Sequence, residues 1–354
     1  MMRIGKFTDF YRDVTKAGTK IPQEKYLKVG HYPVIDQGRQ AIVGRWDSDD
    51  GICKEIPAII FGDHTRAIKY IEEPFFIGAD GVKILRPVNV QDNPKYLYYA
   101  LQAARIPNLG YSRHFKALKE LDFHVCSIEK QDEIVRILEK IDYLIEQCHE
   151  EDSCLNQIVK SRFIELFGDP DVNSKGWNEC ALSEKLNVVG GYAFKSDQFD
   201  EERGIPVLRI GNINAGFFRP VNLVYWHEDE SLERYIVYPG ELVMSLTGTV
   251  GKDDYGNVCI LGDDYGKYYL NQRNAKLEIV EGIDKYYLSQ LLKFEQIKKR
   301  LTGISRGVRQ ANISNKDILN LVVPVPPMEI QEQFSAFVAQ TDKSKLCSEM
   351  EVAA

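Results

Sequence analysis

Ser127-Ile128-Glu129-Lys130-Gln131-Asp132-Glu133-Ile134 and Pro327-Met328-Glu329-Ile330-Gln331-Glu332-Gln333-Phe334 read as two versions of one helix start. The first is reached from Lys119-Glu120-Leu121 and the second from Lys316-Asp317-Ile318, and the two glutamines stand 200 residues apart. Reading backwards from each start, the same series recurs: a basic loop, a Tyr-rich helix, a Gly-containing β segment and a Tyr/Ile-Pro-Val strand. A duplication of this length, with a helix after each copy, points to a two-headed reader with helical spacers rather than to one catalytic pocket.

The first of these helices runs from about Ile128 to Phe167. Apolar residues recur at Ile134, Ile137, Ile141, Leu144, Cys148, Leu155 and Ile158 in steps of three and four, a coiled-coil-like seam. Leu138, Ile145, Val159 and Ile164 widen the stripe, and Glu151 interrupts it. Gly168 and Pro170 supply a C-terminal cap and a stop. At about 1.5 Å per residue such a helix spans roughly 60 Å. That length outruns a single small domain, which favours a spacer over a helix packed along one core.

On either side the chain turns β-rich. Tyr32-Pro33-Val34-Ile35, Ile56 to Phe61, Phe75-Phe76-Ile77 and Val82-Lys83-Ile84-Leu85 read as short strands. Ile205 to Ile210, Glu241 to Leu246, Tyr268-Tyr269-Leu270 and Ala275 to Val280 are their counterparts. A short helix follows in each copy. Asn93-Pro94 offers an N-cap and a proline at the first helical position, and Asp284 offers the same cap without the proline. The tyrosines of these helices are expected to pack against the domain rather than stack on bases.

At 354 residues, two domains plus connectors is the expectation. No apolar run approaches the roughly 18 residues of a membrane span. The opening Met1-Met2-Arg3-Ile4-Gly5-Lys6 lacks the apolar stretch of a signal peptide. The seven cysteines contain no Cys-x-x-Cys pair, which suggests reduced thiols and a cytoplasmic protein without a membrane partner. The net charge of −7 argues at first against a polyanionic partner, but it is unevenly distributed. Residues 1–126 hold 19 Lys/Arg against 15 Asp/Glu, whereas 127–170 hold 5 against 11. Acidity concentrates on the helical connector, and local patches rather than total charge set phosphate binding.

The whole arrangement resembles the DNA-sequence specificity subunit of type I restriction-modification systems. Gly204-Ile205-Pro206-Val207-Leu208-Arg209-Ile210-Gly211-Asn212-Ile213 looks like that family's first core strand, as does His31-Tyr32-Pro33-Val34-Ile35-Asp36-Gln37-Gly38. Leu246-Thr247-Gly248-Thr249-Val250-Gly251 is similar to its small-residue turn. Leu321 to Gln331 resembles its approach to a spacer helix, and Phe163-Ile164-Glu165-Leu166-Phe167-Gly168-Asp169-Pro170 its helix exit. The resemblance implies an α+β fold with an internal pseudo-twofold repeat: target-recognition domains at 1–126 and 169–326, a central spacer helix at 127–168 and a C-terminal spacer at 327–354. It further implies that each domain reads one half of a split site on double-stranded DNA. The partners implied are modification subunits that carry S-adenosylmethionine and methylate adenine at N6, and a motor-nuclease restriction subunit. No cofactor and no catalytic centre are expected on this chain. After Gln331 only about 23 residues remain, so the second spacer is expected at about half length. Phe334, Phe337, Val338 and Leu346 give it a short apolar stripe, and a second specificity chain is one way to complete the bundle.

The residues themselves offer little for catalysis. No Asn/Asp-Pro-Pro-Tyr/Phe site is present, and Gly248-Thr249-Val250-Gly251 lacks the spacing of a dinucleotide or P-loop fingerprint. Pro170-Asp171 is not followed by the Asp/Glu-x-Lys of a metal-dependent nuclease, and the six histidines lack metal-ligand spacing. DNA reading needs other groups: Lys/Arg for phosphates, and the forked side chains of Arg, Asn and Gln for base edges. Three stretches carry that chemistry in both copies. The first is Gln37, Arg39 and Gln40, against Arg209, Asn212 and Asn214. The second is His64, Arg66 and Lys69, against Lys252 and Arg273. The third is Tyr111 to Lys116 with Arg113, His114 and Lys116, against Ser305 to Asn312 with Arg306, Arg309, Gln310 and Asn312. Solvated loops with incidental ion pairs are the bland reading of each. Two alternatives stand beside the DNA reader: a methyltransferase or nuclease with a cryptic site, and a structural β-rich protein with a coiled-coil stalk.

Overall fold

Short β-branched and aromatic runs build the sheets. Ala58-Ile59-Ile60-Phe61-Gly62 is buried throughout, as are Leu242–Ser245 and Tyr268–Leu270. Strands this apolar must be covered on both faces. The computed structural model describes residues 2–110, 112–303 and 310–353, and the side chains of these except 310 and 343–353. It divides into two compact units, Met1–Glu146 and Gln147–Ala354.

In the first unit a four-stranded antiparallel sheet runs in the order Tyr11–Asp13, Val82–Pro87, Ala58–Gly62, Ile68–Ile71. A three-stranded sheet places Tyr32–Ile35 between Gly44–Trp46 and Phe76–Ile77, the last pairing being parallel. Arg3–Lys6 pairs with Asp122–Val125 and brings the start of the unit beside the approach to the long helix. Apolar residues of both larger sheets and of short helices packed on them fill the interior, with Phe7, Tyr11, Phe61, Leu97 and Phe115 in one cluster and Ile35, Ile60, Phe75 and Ile84 in another.

The second unit repeats this plan. Leu186–Gly190, Asn274–Ile279, Leu242–Ser245 and Val258–Ile260 form its four-stranded antiparallel sheet. Ile205–Leu208 again sits between an antiparallel neighbour, Val224–Trp226, and a parallel one, Tyr268–Leu270. Ile236–Val237 adds a fourth strand to that sheet. Glu179–Ala181 pairs with Val322–Pro324 as Arg3–Lys6 does with Asp122–Val125. A further pair, Thr247–Thr249 with Gln310–Asn312, is particular to this copy among the described residues.

The helices start and stop where the local chemistry dictates. Asn93 caps Pro94–Gln102 by accepting from the amides of Lys95 and Tyr96, and Asp284 caps Lys285–Leu292 by accepting from Tyr286 and Tyr287. One continuous helix spans Ile128–Phe167 and ends at Gly168, whose φ of +79° is the left-handed cap that favours glycine. A second helix spans Met328–Ala353. No helix of the described residues is long and apolar enough to cross a membrane.

The apolar seam of the long helix is largely not the face that packs. Ile137, Ile141 and Ile158 are 55, 46 and 49% exposed, and Leu144, Cys148 and Leu155 are half-buried. Ile134 alone of the seam touches a core, at the edge of the first unit beside the buried Val135. At the other end Val159, Phe163 and Phe167, a strict four-residue stride, enter the core of the second unit. Each end of the helix turns to its own sheet-and-helix core whichever residues its phase brings round. Phe334 of the C-terminal helix joins the same core, fully buried, with its ring 5.5 Å from those of both Phe163 and Phe167. Phe337 and Val338 pack at its margin, so all three serve the globular unit.

Candidate nucleic-acid interface

In the first unit the three polar stretches converge on the turn between Ala58–Gly62 and Ile68–Ile71. Asp63, buried in that turn, is the hub. Its carbonyl accepts from the His114 amide at 2.8 Å and lies 2.9 Å from His114 Nδ1, and its Oδ1 accepts from the Phe115 amide at 2.7 Å. Arg113 Nε lies 3.9 Å from the Asp63 carboxylate while its side chain stays 70% exposed. Gln37 closes the other side: its carbonyl accepts from Thr65 Oγ1 and its Oε1 from the His64 amide. Gly81 lies against Gln37 Oε1, where any Cβ would collide. Arg66 adopts a φ of +60° at the end of the turn and donates to the Ile106 carbonyl at 3.1 Å.

Two residues chosen from the sequence as DNA contacts are interior supports. His114 is 1% exposed, with Nδ1 on the Asp63 carbonyl and Nε2 accepting from the Leu109 amide. Lys69 is 8% exposed and donates to the carbonyl and carboxylate of Asp36. Burial pushes the Lys69 pKa down, against the pull of Asp36. An ammonium committed inside in this way cannot reach a phosphate. Arg39, Gln40, Arg113 and Lys116 remain exposed, and Gln37, His64 and Arg66 are half-buried.

In the second unit Asn212 is likewise an interior support. At 3% exposure it accepts from the Arg209 amide and donates to the carbonyls of Arg219 and Val221, which shapes the loop from 209 to 222. The Asn214 carbonyl accepts from Asn257 Nδ2 at 2.7 Å. Around this loop opens a cleft of about 670 Å³ lined by Arg209, Arg219, Gln272, Arg273, Phe194 and Phe199, among others. The cleft joins the first and second stretches, since Arg209 and Arg273 both line it. Arg219 and Gln272 were missed in the sequence. Arg219 follows two phenylalanines and lies 5.9 Å from the Phe217 ring, and Gln272 directly precedes Arg273. Forked side chains beside aromatic rings are the combination that could have flagged both.

Lys252 does not join this cleft. It lines a broader groove of about 1700 Å³ with Lys160, Lys298 and Lys299. That groove is electrically mixed. Lys298 pairs with Asp253 and Asn257, Lys299 pairs with Glu295, and Asp152 and Asp342 also face it. The turn bearing Lys252 is pinned by Asp254, which accepts from the Thr249 amide at 2.8 Å, a bond that holds the Asp254 pKa below its ordinary value. Asn312 is exposed and accepts from Thr247 Oγ1 at 3.0 Å, so the described end of the third stretch, Gln310–Asn312, lies beside the Thr247–Thr249 strand. Arg306, Arg309 and the side chain of Gln310 lie outside the described residues. Among the described residues no group of three or more His, Cys, Asp or Glu is placed to hold a metal ion.

Comparison with known proteins agrees with the twofold plan. The model of the type I restriction modification DNA specificity domain matches residues 3–153 and again 174–350. The specificity subunit of the type I restriction enzyme MjaVIII from Methanocaldococcus jannaschii is 24% identical over 383 residues, covering 97% of this chain and 85% of that protein. The EcoBI specificity subunit of Escherichia coli is 25% identical over 177 residues, covering 48% of this chain and 34% of that protein. Among solved structures, the S subunit of a type I restriction-modification system from M. genitalium aligns with a TM-score of 0.57 at 16% identity, over 100% of this chain and 92% of that one. At that identity the structural likeness speaks to the fold alone.

Proposed function

Because the chain belongs to the family of type I restriction modification DNA specificity proteins, we propose that it works as a two-headed reader of DNA in a type I restriction-modification system. It is the specificity subunit, a recognition component without a catalytic centre of its own. The observation that carries the reading is the double match, over 3–153 and 174–350, onto two units that repeat one strand order. Residues 1–126 and 169–326 act as target-recognition domains, each for one half-site. Residues 127–168 and 327–354 act as spacers. The exposed stripe of Ile137, Ile141, Ile145 and Ile158 supports a helix that packs on a further helix in the assembled complex, since isolated surface apolar residues are common but a row of them is not.

Contact with DNA falls to the exposed groups of the converging loops. In the first domain these are Arg39, Gln40, Arg113 and Lys116, with Gln37, His64 and Arg66 shaping the edge. In the second they are Arg219, Gln272 and Arg273 of the cleft beside the half-buried Arg209, with Lys252 and Asn312 on neighbouring elements. Arg306, Arg309 and Gln310, whose side chains lie outside the described residues, complete the proposed set. The chemistry of methylation belongs to a modification subunit that binds S-adenosylmethionine and takes the target adenine out of the stack. A restriction subunit with motor and nuclease activity is the further partner. The purified chain with S-adenosylmethionine is expected to methylate no DNA, and addition of its modification subunit is expected to start N6-adenine methylation. Methylation by the chain alone would sink this reading.

A further inference from the structure

The two glutamines that mark the sequence repeat make the same pair of hydrogen bonds. Gln131 Oε1 accepts the Asn93 amide at 2.8 Å, and Gln331 Oε1 accepts the Asp284 amide at 2.8 Å. Asn93 and Asp284 are the N-caps of Pro94–Gln102 and Lys285–Leu292. In both copies the glutamine Nε2 donates to the carbonyl five residues upstream, Cys126 at 3.0 Å and Pro326 at 2.7 Å. Both side chains are 0% exposed. Each glutamine therefore joins three segments at one point: the start of a spacer helix, the connector between the preceding strand and that helix, and the N-terminus of the helix that backs the sheet.

Apolar packing alone would hold these elements together, but it is non-directional and tolerates sliding. A buried amide with a donor and an acceptor in fixed places does not, because a small rotation leaves a buried N–H or C=O unpaired. Around Gln131 the joint is braced along one helix face. Asn93 Nδ2 donates to Asp132 at 2.8 Å, Lys95 pairs with Glu139 at 2.8 Å, and the Tyr99 hydroxyl donates to Asp142 at 2.6 Å. At the second joint Ser335 Oγ donates to Asp284.

We propose that Gln131 and Gln331 are positioning residues that fix the direction in which each spacer helix leaves its reading unit, and thereby the number of base pairs allowed between half-sites. This rests on the DNA-reading function above. The variants Gln131→Met and Gln331→Met keep the volume and remove the hydrogen bonds. In cells holding the full chain and its modification subunit, long-read mapping of methylated adenine should return unchanged half-site sequences with a relaxed gap. Sites one base pair longer or shorter than the wild-type gap should gain at least about tenfold, the factor expected from one or two lost hydrogen bonds. Spin labels at Lys119→Cys and Glu146→Cys, with Cys148→Ser, Cys154→Ser, Cys180→Ser and Cys347→Ser to limit labelling of native thiols, supply a readout independent of DNA. Their distance distribution should broaden in Gln131→Met. Variants that mark only the wild-type gap with an unbroadened distribution overturn the proposal. If Gln131→Met fails to fold, Tyr99→Phe, which loosens the same joint from its surface, decides by the same two readouts. A wild-type chain that directs no sequence-specific methylation would refute the DNA reading, while the label distances would still judge the joint.

Discussion

At the scale of single residues, the structure separates polar groups that face water from polar groups that hold the loops facing it. Arg113 and His114 are neighbours in sequence with opposite duties, the first 70% exposed and the second 1%. Arg113→Ala and Lys116→Ala should leave stability unchanged and weaken DNA binding across sequences. Each should lower the slope of log affinity on log salt by about one, as expected for one phosphate contact. His114→Ala should instead destabilise by about 1–3 kcal/mol, because it strips partners from the Asp63 carbonyl and the Leu109 amide. Lys69→Met should also act on stability rather than on the salt slope. Denaturant titration and binding at several salt concentrations separate the two groups. A change in salt slope without loss of stability in Lys69→Met would return that residue to the DNA-facing set.

At the scale of elements, the long helix was legible because its signals agree. A periodic run of 40 residues, a left-handed glycine and a following proline all state the same boundaries. The short strands and the two Asx-capped helices were legible for the same reason. Which face of the helix packs was not, since a seam of threes and fours describes a helix with a helical partner, whereas its ends meet sheets and other helices. The reading loops were legible as chemistry but not as orientation. Residue type identifies Asn212 and Lys69 as able to bind DNA, but only the tertiary fold turns them inward. Phe163→Ala should cost about 3–5 kcal/mol, as it removes a buried ring that contacts Phe167, Tyr287, Phe294 and Phe334. Ile137→Ala and Ile141→Ala should each stay within about 0.5 kcal/mol in the chain alone. A large loss at Ile137 would mean that the seam packs within the single chain after all.

At the scale of the whole molecule, the duplication supplies one frame twice. The two copies share strand order, the parallel pairing at the first core strand, the capped helix and the buried glutamine. They differ where the loops reach outward: the first has the Asp63 hub, and the second has the arginine cleft and the added Thr247–Thr249 and Gln310–Asn312 strands. Scaffold held constant and loops varied is the arrangement required for one mechanism applied to two different half-sites, because base readout depends on side chains and DNA shape while placement depends on the frame. Replacing residues 1–126 with the corresponding domain of a related specificity chain should therefore change one half of the methylated motif and leave the other half and the gap intact. Methylation mapping reads this directly. Loss of both halves together would mean that the units do not read independently. A palindromic motif from the unaltered chain would mean that two copies each contribute the same domain, and the differences between the loops would then need another explanation.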